Sequence, residues 1–431
     1  MQKIENKFYN ECYYVHTFSS GLKGYFMPKK GFKQTNAYVG VNFGSLYQEF
    51  EIDGKNYVTP AGIAHYLEHK MFNLKGNIDA CSVFSKLGAD ANAYTTYDRT
   101  VYNFKTIENV DECINLLLDL VSELVINQET VDKERPIIAQ ELGMYLNNPN
   151  DQVGVHFLEQ AYSENYVRTD IGGTVETIQQ ITPELLQFCF DNFYHPLNMG
   201  IAVVGNFDVE HMIDLIEKHQ QAHTYPAYHN PKVNLHLNDK VLCHYKEYEM
   251  DINNYYIALG ARIDRLEDQK LTPEEVFKTS IYIDLLQEIL FNDSSKYYQN
   301  FIREKKVDYS FVTDFVFRSY SSNVVLYSNT FDPKKTLKTL KEIMTEVAKY
   351  PISKEAFEHY KNCKIASSIR KLNSMQSVAS SILTMDMKGL EFFHAAEIVA
   401  SVSYEEFLEV RKRFENLDLI TTIIKPREEN K

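Results

Sequence analysis

The order of elements along this chain recurs, and that recurrence restricts the fold more than any single stretch does. Residues 111–141 carry two successive helical patterns, and residues 332–367 carry the same layout. Likewise, 181–205 reads as a helix, a break and a β-branched strand, and 402–425 repeats that succession. The similarity is weak residue by residue but holds in order and spacing, so two halves of about 210 residues are the simplest account. The expected fold class is α+β: two homologous domains from duplicated halves, each a mainly antiparallel sheet packed with helices. The stretch 221–239 is polar, with two prolines and few periodic apolar residues, and reads as a linker between domains 1–220 and 240–431. Hydrophobic residues make up 44% of the chain and charged residues 24%, ample material for two cores.

Local patterns fill in the first half. In 36–43, Val39, Val41 and Phe43 fall on one face of a strand and Tyr38, Gly40 and Asn42 on the other. In 61–73, Ile63, Leu67 and Met71 recur every four residues, which marks one face of a helix. Residues 91–104 are rich in Tyr, Thr and Val and read as paired strands around an Asp98-Arg99 turn. Helices are expected at 110–125 and Gln128–Leu146, and another at 181–194 with Thr182 as N-cap and Pro183 in the first turn. A buried strand at 200–204 turns into a helix over 209–219.

The sharpest chemical signal is His65-Tyr66-Leu67-Glu68-His69. On a helix, His65 and His69 leave the same face one turn apart and can share one ion, with Glu68 beside them. This H-x-x-E-H order is the inverzincin motif. Its apolar flanks look buried, and burying two imidazoles and a carboxylate without a shared partner is costly. A catalytic zinc takes three protein ligands and keeps one open position, so a third ligand is required from elsewhere. Glu141 is the candidate, with Glu134 two turns earlier on the same face. The residues alone leave open which of the two ligates and which supports a histidine or the water.

These residues resemble the pitrilysin/insulinase family of zinc peptidases, in particular its half-length bacterial members. The resemblance extends to Asn92-Ala93-Tyr94-Thr95-Thr96, to Asp170-Ile171-Gly172-Gly173-Thr174, and to Phe193-Tyr194-His195-Pro196-Leu197-Asn198-Met199 ahead of Gly205-Asn206. It implies that His65, His69 and Glu141 hold zinc, that Glu68 activates the water, and that Glu134 accompanies them. Aligning the halves puts Asp284, Gln287 and Glu288 where His65, Glu68 and His69 stand, and Tyr360 and Ser367 opposite Glu134 and Glu141. One zinc per chain is therefore expected. Family members often bind substrate through an arginine and a tyrosine seven residues apart. Here Arg303 and Tyr309 stand six apart and lack the usual glycine between them.

The implied activity is a zinc endopeptidase acting on short or unfolded peptides, with peptide maturation among the roles known for half-length relatives. Glu68 would take a proton from water and deliver it to the leaving amine. Asn92, Ala93 and Tyr94 lie in an expected edge strand to which an extended peptide could add. The competing reading is a non-catalytic or half-site subunit that needs a homologous partner, so a homodimer or heterodimer is expected. Net charge of −14, from 45 basic and 59 acidic residues, argues against nucleic acid. No stretch approaches the roughly 18 uninterrupted apolar residues of a membrane span. Six scattered cysteines without a C-x-x-C pair, and a start without a secretory pattern, lead to the expectation of a cytoplasmic protein. His211, His219, His223, His229 and His236 cluster near the linker, and their spacings read as solvated side chains.

Overall fold

A computed structural model of the chain describes residues 1–237, 240–263 and 271–427. A seven-stranded sheet runs in the order Gln2–Asn6, Glu11–Thr17, Lys23–Pro28, Met199–Gly205, Thr35–Val41, Thr100–Thr106, Asp90–Thr95. Met199–Gly205 pairs in parallel with Lys23–Pro28, and the other neighbours are antiparallel. Thr35–Val41 is buried at every residue. Its period of two explains how: Val39 and Val41 enter one core with the helices of the motif side, whereas Tyr38 enters a second core on the opposite face. The paired strands expected around Asp98-Arg99 are Asp90–Thr95 and Thr100–Thr106, in register Thr95 to Thr100.

A five-stranded sheet follows the order Tyr245–Met250, Ile420–Pro426, Tyr255–Arg262, Ser322–Thr330, Val312–Phe317. It repeats the pairing of the last five strands of the larger sheet: one parallel pair, then three antiparallel ones. Duplication is thus written in strand order as well as in sequence.

The compact units do not coincide with the contiguous ranges 1–220 and 240–431. One comprises Met1–Leu142, Asp170–Leu235 and Ile369–Phe393; the other comprises Gly143–Thr169, His236–Ser368 and His394–Lys431. A doubly buried strand needs cover on both faces, and here each half lends the other a helix for that purpose. Met375–Met387 lies on Thr35–Val41 and Met199–Gly205 through Val378, Ala379, Ile382 and Leu383. Pro149–Ala161 lies on Tyr255–Arg262 and Ile420–Pro426, the matching strands of the smaller sheet. Gly40 and Gly260 occupy equivalent places in the two registers. A Cβ at Gly40 would stand 2.7 Å from Met387 Sδ, and one at Gly260 would stand 2.7 Å from the Phe157 ring. Both glycines therefore let the borrowed helix approach closely.

The expected linker also belongs partly to the first unit. Helix Val209–Ala222 continues into it, and Lys232–Val233 pairs with Glu49–Ile52 as the third strand of a small sheet. His195 Nε2 donates to the Pro226 carbonyl at 3.1 Å, which fastens the intervening turn. The end of the linker, residues 238–239, lies outside the described residues. No helix among the described residues is long and apolar enough to cross a membrane.

Leu383→Ala tests the borrowed helix. It should cost about 2–5 kcal/mol of stability. Amide exchange should accelerate in Thr35–Val41 and Met199–Gly205, strands that end 178 or more residues before Leu383 in sequence. Unchanged exchange in those strands would contradict the packing.

Candidate metal centre

The motif sits on helix Ile63–Met71, whose buried residues include Ile63, Tyr66, Leu67 and Met71. The helix starts at Gly62, with φ +87°, and a Cβ there would be 2.3 Å from the Gly172 carbonyl oxygen. A left-handed residue without a side chain is required at this crossing. The Gly172-Gly173 turn is thereby the seat of the helix start. Tyr66 then donates its hydroxyl proton to the Val131 carbonyl at 2.5 Å, tying the motif helix to Gln128–Leu146.

That docking brings three side chains together. His65 Nε2 lies 3.8 Å from Glu141 Oε1, and His69 Nε2 lies 3.4 Å from Glu141 Oε2. One donor atom from each of His65, His69 and Glu141 lies within 4.8 Å of the others. Ligands about 2.0–2.2 Å from a tetrahedral zinc stand roughly 3.3–3.6 Å apart, so this separation fits a shared ion of that size. Glu134 turns to the other side of the same imidazole: its Oε1 is 3.1 Å from His69 Nδ1. Lys70 Nζ donates to Glu134 Oε2 at 3.2 Å and to the Thr130 carbonyl at 3.1 Å, which keeps that carboxylate in place. His65 Nδ1 is buried without a hydrogen-bond partner among the described residues.

The charge states suit a cation. Burial and the neighbouring His69 push His65 down to about 4, so its imidazole offers a lone pair at neutral pH. At His69 burial opposes the charge, but the bond to Glu134 and the charges of Glu68, Glu134 and Glu141 prevail and raise it. The same bond to His69, with help from Lys70, holds Glu134 below the usual carboxylate range. Glu68 is raised by burial, against the opposing hydrogen bond from Thr95. Thr95 Oγ1 donates to Glu68 Oε2 at 2.6 Å.

Thr95 ends the edge strand Asp90–Thr95, whose inward face also carries Ala91 and Ala93. Asn92 and Tyr94 point to the other, exposed face. The Asn92 side chain accepts the Ala93 N–H at 2.9 Å, so this backbone donor is held by its own neighbour and not by the adjacent strand. A cavity of about 540 Å³ lies alongside, lined by Glu68, His69, Lys70, Asn92, Ala93 and Glu134 among others.

Arg303 and Tyr309 belong to the second unit, whereas the cluster is built wholly within the first. Arg303 closes helix Lys296–Arg303 and bonds Asn300, and Tyr309 is 90% exposed. In that unit Gln287 Nε2 donates to the Thr313 carbonyl at 2.8 Å and hydroxyl at 3.0 Å, on the edge strand Val312–Phe317. As with Glu68, a side chain of the helix bonds a threonine of the edge strand, here an amide and two residues from the place that Thr95 takes in the first unit. Asp284, opposite His65, forms an ion pair with Lys364 at 2.9 Å. Among the described residues the second unit holds no set of three metal donors. No separate role for Gly62, Tyr66, Lys70 or Thr95 is readable from the sequence; the period of two places Thr95 on the strand face of Ala93 but does not name its partner.

Comparison with known proteins agrees with this arrangement. The model of the insulinase family (peptidase family M16) matches residues 29–175, and that of the peptidase M16 inactive domain matches residues 180–363. An uncharacterized zinc protease, YmfH of Bacillus subtilis, is 31% identical over 411 residues, covering 94% of each chain. An M16-like peptidase from Alicyclobacillus acidocaldarius shares the fold with TM-score 0.89, at 24% identity, over 98% of this chain and 100% of that one. A protease from Helicobacter pylori does so with TM-score 0.81, at 19% identity, over 96% and 100%. The chain belongs to the insulinase, or M16, peptidase family, and to its half-length members.

Replacing Glu134 by Gln should leave the three donors in place but loosen the hold on His69. Zinc affinity should then fall about 10- to 100-fold, read by competition with a chelator. Affinity equal to that of the parent would show that Glu134 does not orient the imidazole.

Proposed function

We propose that this chain is a zinc-dependent endopeptidase that hydrolyses short or unfolded peptides. The observation that carries the reading is the convergence of His65, His69 and Glu141 with Glu68 alongside. His65, His69 and Glu141 would hold one zinc, and Glu134 would orient His69. When bound there, the metal supplies Lewis acidity toward the scissile carbonyl and lowers the pKa of water. Glu68, with its raised proton affinity, takes a proton from water and passes it to the leaving amine. Thr95 keeps one Glu68 oxygen engaged and so directs the other. An extended peptide adds to the edge strand at Asn92, Ala93 and Tyr94 through its backbone, which places little demand on its sequence. The name zinc protease carried by the curated relatives supports the same reaction class. In this reading 1–220 is the catalytic half and 240–431 a homologous half without zinc. Six cysteines without a disulfide suit a cytoplasmic setting.

A second reading concerns assembly. The chain aligns with 96% of its own length but only 48% of the periplasmic protease PqqL of Escherichia coli, at TM-score 0.68. A fold of twice this length elsewhere supports a pair of half-length chains here, either two copies or a homologous partner. Arg303 and Tyr309 would then serve a peptide from the second unit of the same chain or of the partner.

Glu68→Gln should keep zinc while cleavage of a quenched peptide falls about 10²- to 10⁴-fold. Cleavage at the parental rate would sink the assignment. Size-exclusion of the active fraction should place hydrolysis in a species of two chains. Full activity in a monomer would exclude the paired reading.

A further inference from the structure

We propose that Asp119, His219 and His223 form a second binding site for a divalent transition-metal ion. It is built on helices that take no part in the H-x-x-E-H cluster and lies within the first unit.

Helices Val110–Ser122 and Val209–Ala222 pack together and are joined twice by an aspartate and a histidine. Asp111 meets His211 at 2.6 Å, and Asp119 meets His219 at 2.9 Å. The two pairs are eight residues apart on both helices, so one serves as the reference for the other. At the first, both partners are half exposed, the ordinary surface ion pair. At the second, His219 is buried to 7% exposure, and another imidazole arrives one turn later. The rings of His219 and His223 lie 4.3 Å apart and nearly parallel, at 21°.

One donor atom from each of Asp119, His219 and His223 lies within 4.8 Å of the others, the same tolerance met by the motif cluster. The plan is similar: two imidazoles at i and i+4, here in the last turn of a helix and on the extended residue that follows it, and a carboxylate from the facing helix. His223 Nδ1 is 2.9 Å from the His219 carbonyl, which can only accept, so the proton sits on Nδ1 and the lone pair on Nε2. A backbone carbonyl holding the other ring nitrogen is the support a metal-ligating histidine commonly has. On His219, one nitrogen faces Asp119 and Nδ1 is buried with no partner among the described residues. A surface ion pair accounts for neither that burial nor the second ring. A shared cation accounts for the second ring beside the Asp119–His219 pair.

Two imidazoles and one carboxylate favour zinc, cobalt, nickel or copper over calcium or magnesium, which prefer six or more oxygens. Asp119 is 55% exposed, so an ion has a solvent route and a position left for water. Bound there, it would staple the end of Val209–Ala222 to Val110–Ser122 and stabilise the first unit by mass action. The sequence contains the i, i+4 pair, but Asp119 stands 100 residues upstream, and the histidines alone read as solvated.

The test uses the full chain carrying His65→Ala and His69→Ala, which removes the motif cluster and makes the result independent of peptidase activity. Cobalt titration followed by visible absorption should show one ion per chain and a raised thermal midpoint. Adding His223→Gln, at the half-exposed helix end, should abolish the absorption band and the thermal shift. If the double variant does not fold, the parent should bind two ions and the single His223→Gln variant one. No cobalt in the folded double variant, or binding that survives His223→Gln together with Asp119→Asn, would overturn the proposal.

Discussion

Everything at the His65, His69 and Glu141 cluster depends on how the helix Ile63–Met71 is held against Gln128–Leu146. The motif helix is largely buried, and it carries two imidazoles, a carboxylate and an ammonium into that environment. Such groups are tolerated away from water only when each finds a partner. For the imidazoles and the ammonium the partners arrive on one facing helix, Glu141 toward both Nε2 atoms and Glu134 toward His69 Nδ1 and Lys70, and for Glu68 the partner is Thr95 on the edge strand. Tyr66 sets the axial position through the Val131 carbonyl, and the glycine crossing at Gly62 and Gly172 sets the start of the helix. The cluster is a consequence of this docking.

The duplicated architecture shows the same scaffold without a set of three metal donors among its described residues. In the second unit an amide on the corresponding helix still bonds a threonine on the corresponding edge strand, and a lysine–aspartate pair stands near the place of the metal donors. A helix-to-edge-strand bond is therefore common to both units, made by a carboxylate in the first and by an amide in the second. Gly40 and Gly260 tell the same story for the opposite sheet faces, where each half receives a helix from the other. A five-stranded sheet buried on both sides cannot be completed by the elements that precede and follow its strands. A helix from the other half of the chain covers each sheet.

Some of this was legible before any coordinates. The spacing of Ile63, Leu67 and Met71 marked the motif helix, and the alternation in 36–43 assigned Val39 and Tyr38 to opposite faces, as the two cores bear out. The turn at Asp98-Arg99 and the cap at Thr182 were readable because each is a local preference. The discontinuous units were not. Met375–Met387 has the pattern of any amphipathic helix, and nothing in its own residues names the strands it will cover. Thr95 was hidden for a similar reason, since a threonine near a strand end is common and its hydroxyl acquires meaning only opposite Glu68. Within the linker, Lys232 and Val233 are too short a run to register as a strand from sequence.

By itself the sequence determined which side chains leave the motif helix together, that a carboxylate must come from elsewhere, and that the chain is built twice from one plan. These follow from helical and strand periods, which act over a few residues. Only the tertiary structure decided which glutamate faces which imidazole nitrogen, which half covers which sheet, and that Asp119 meets His219 and His223. Those outcomes depend on the packing of segments far apart in sequence, where burial and shape select one register among several that local preferences leave equal.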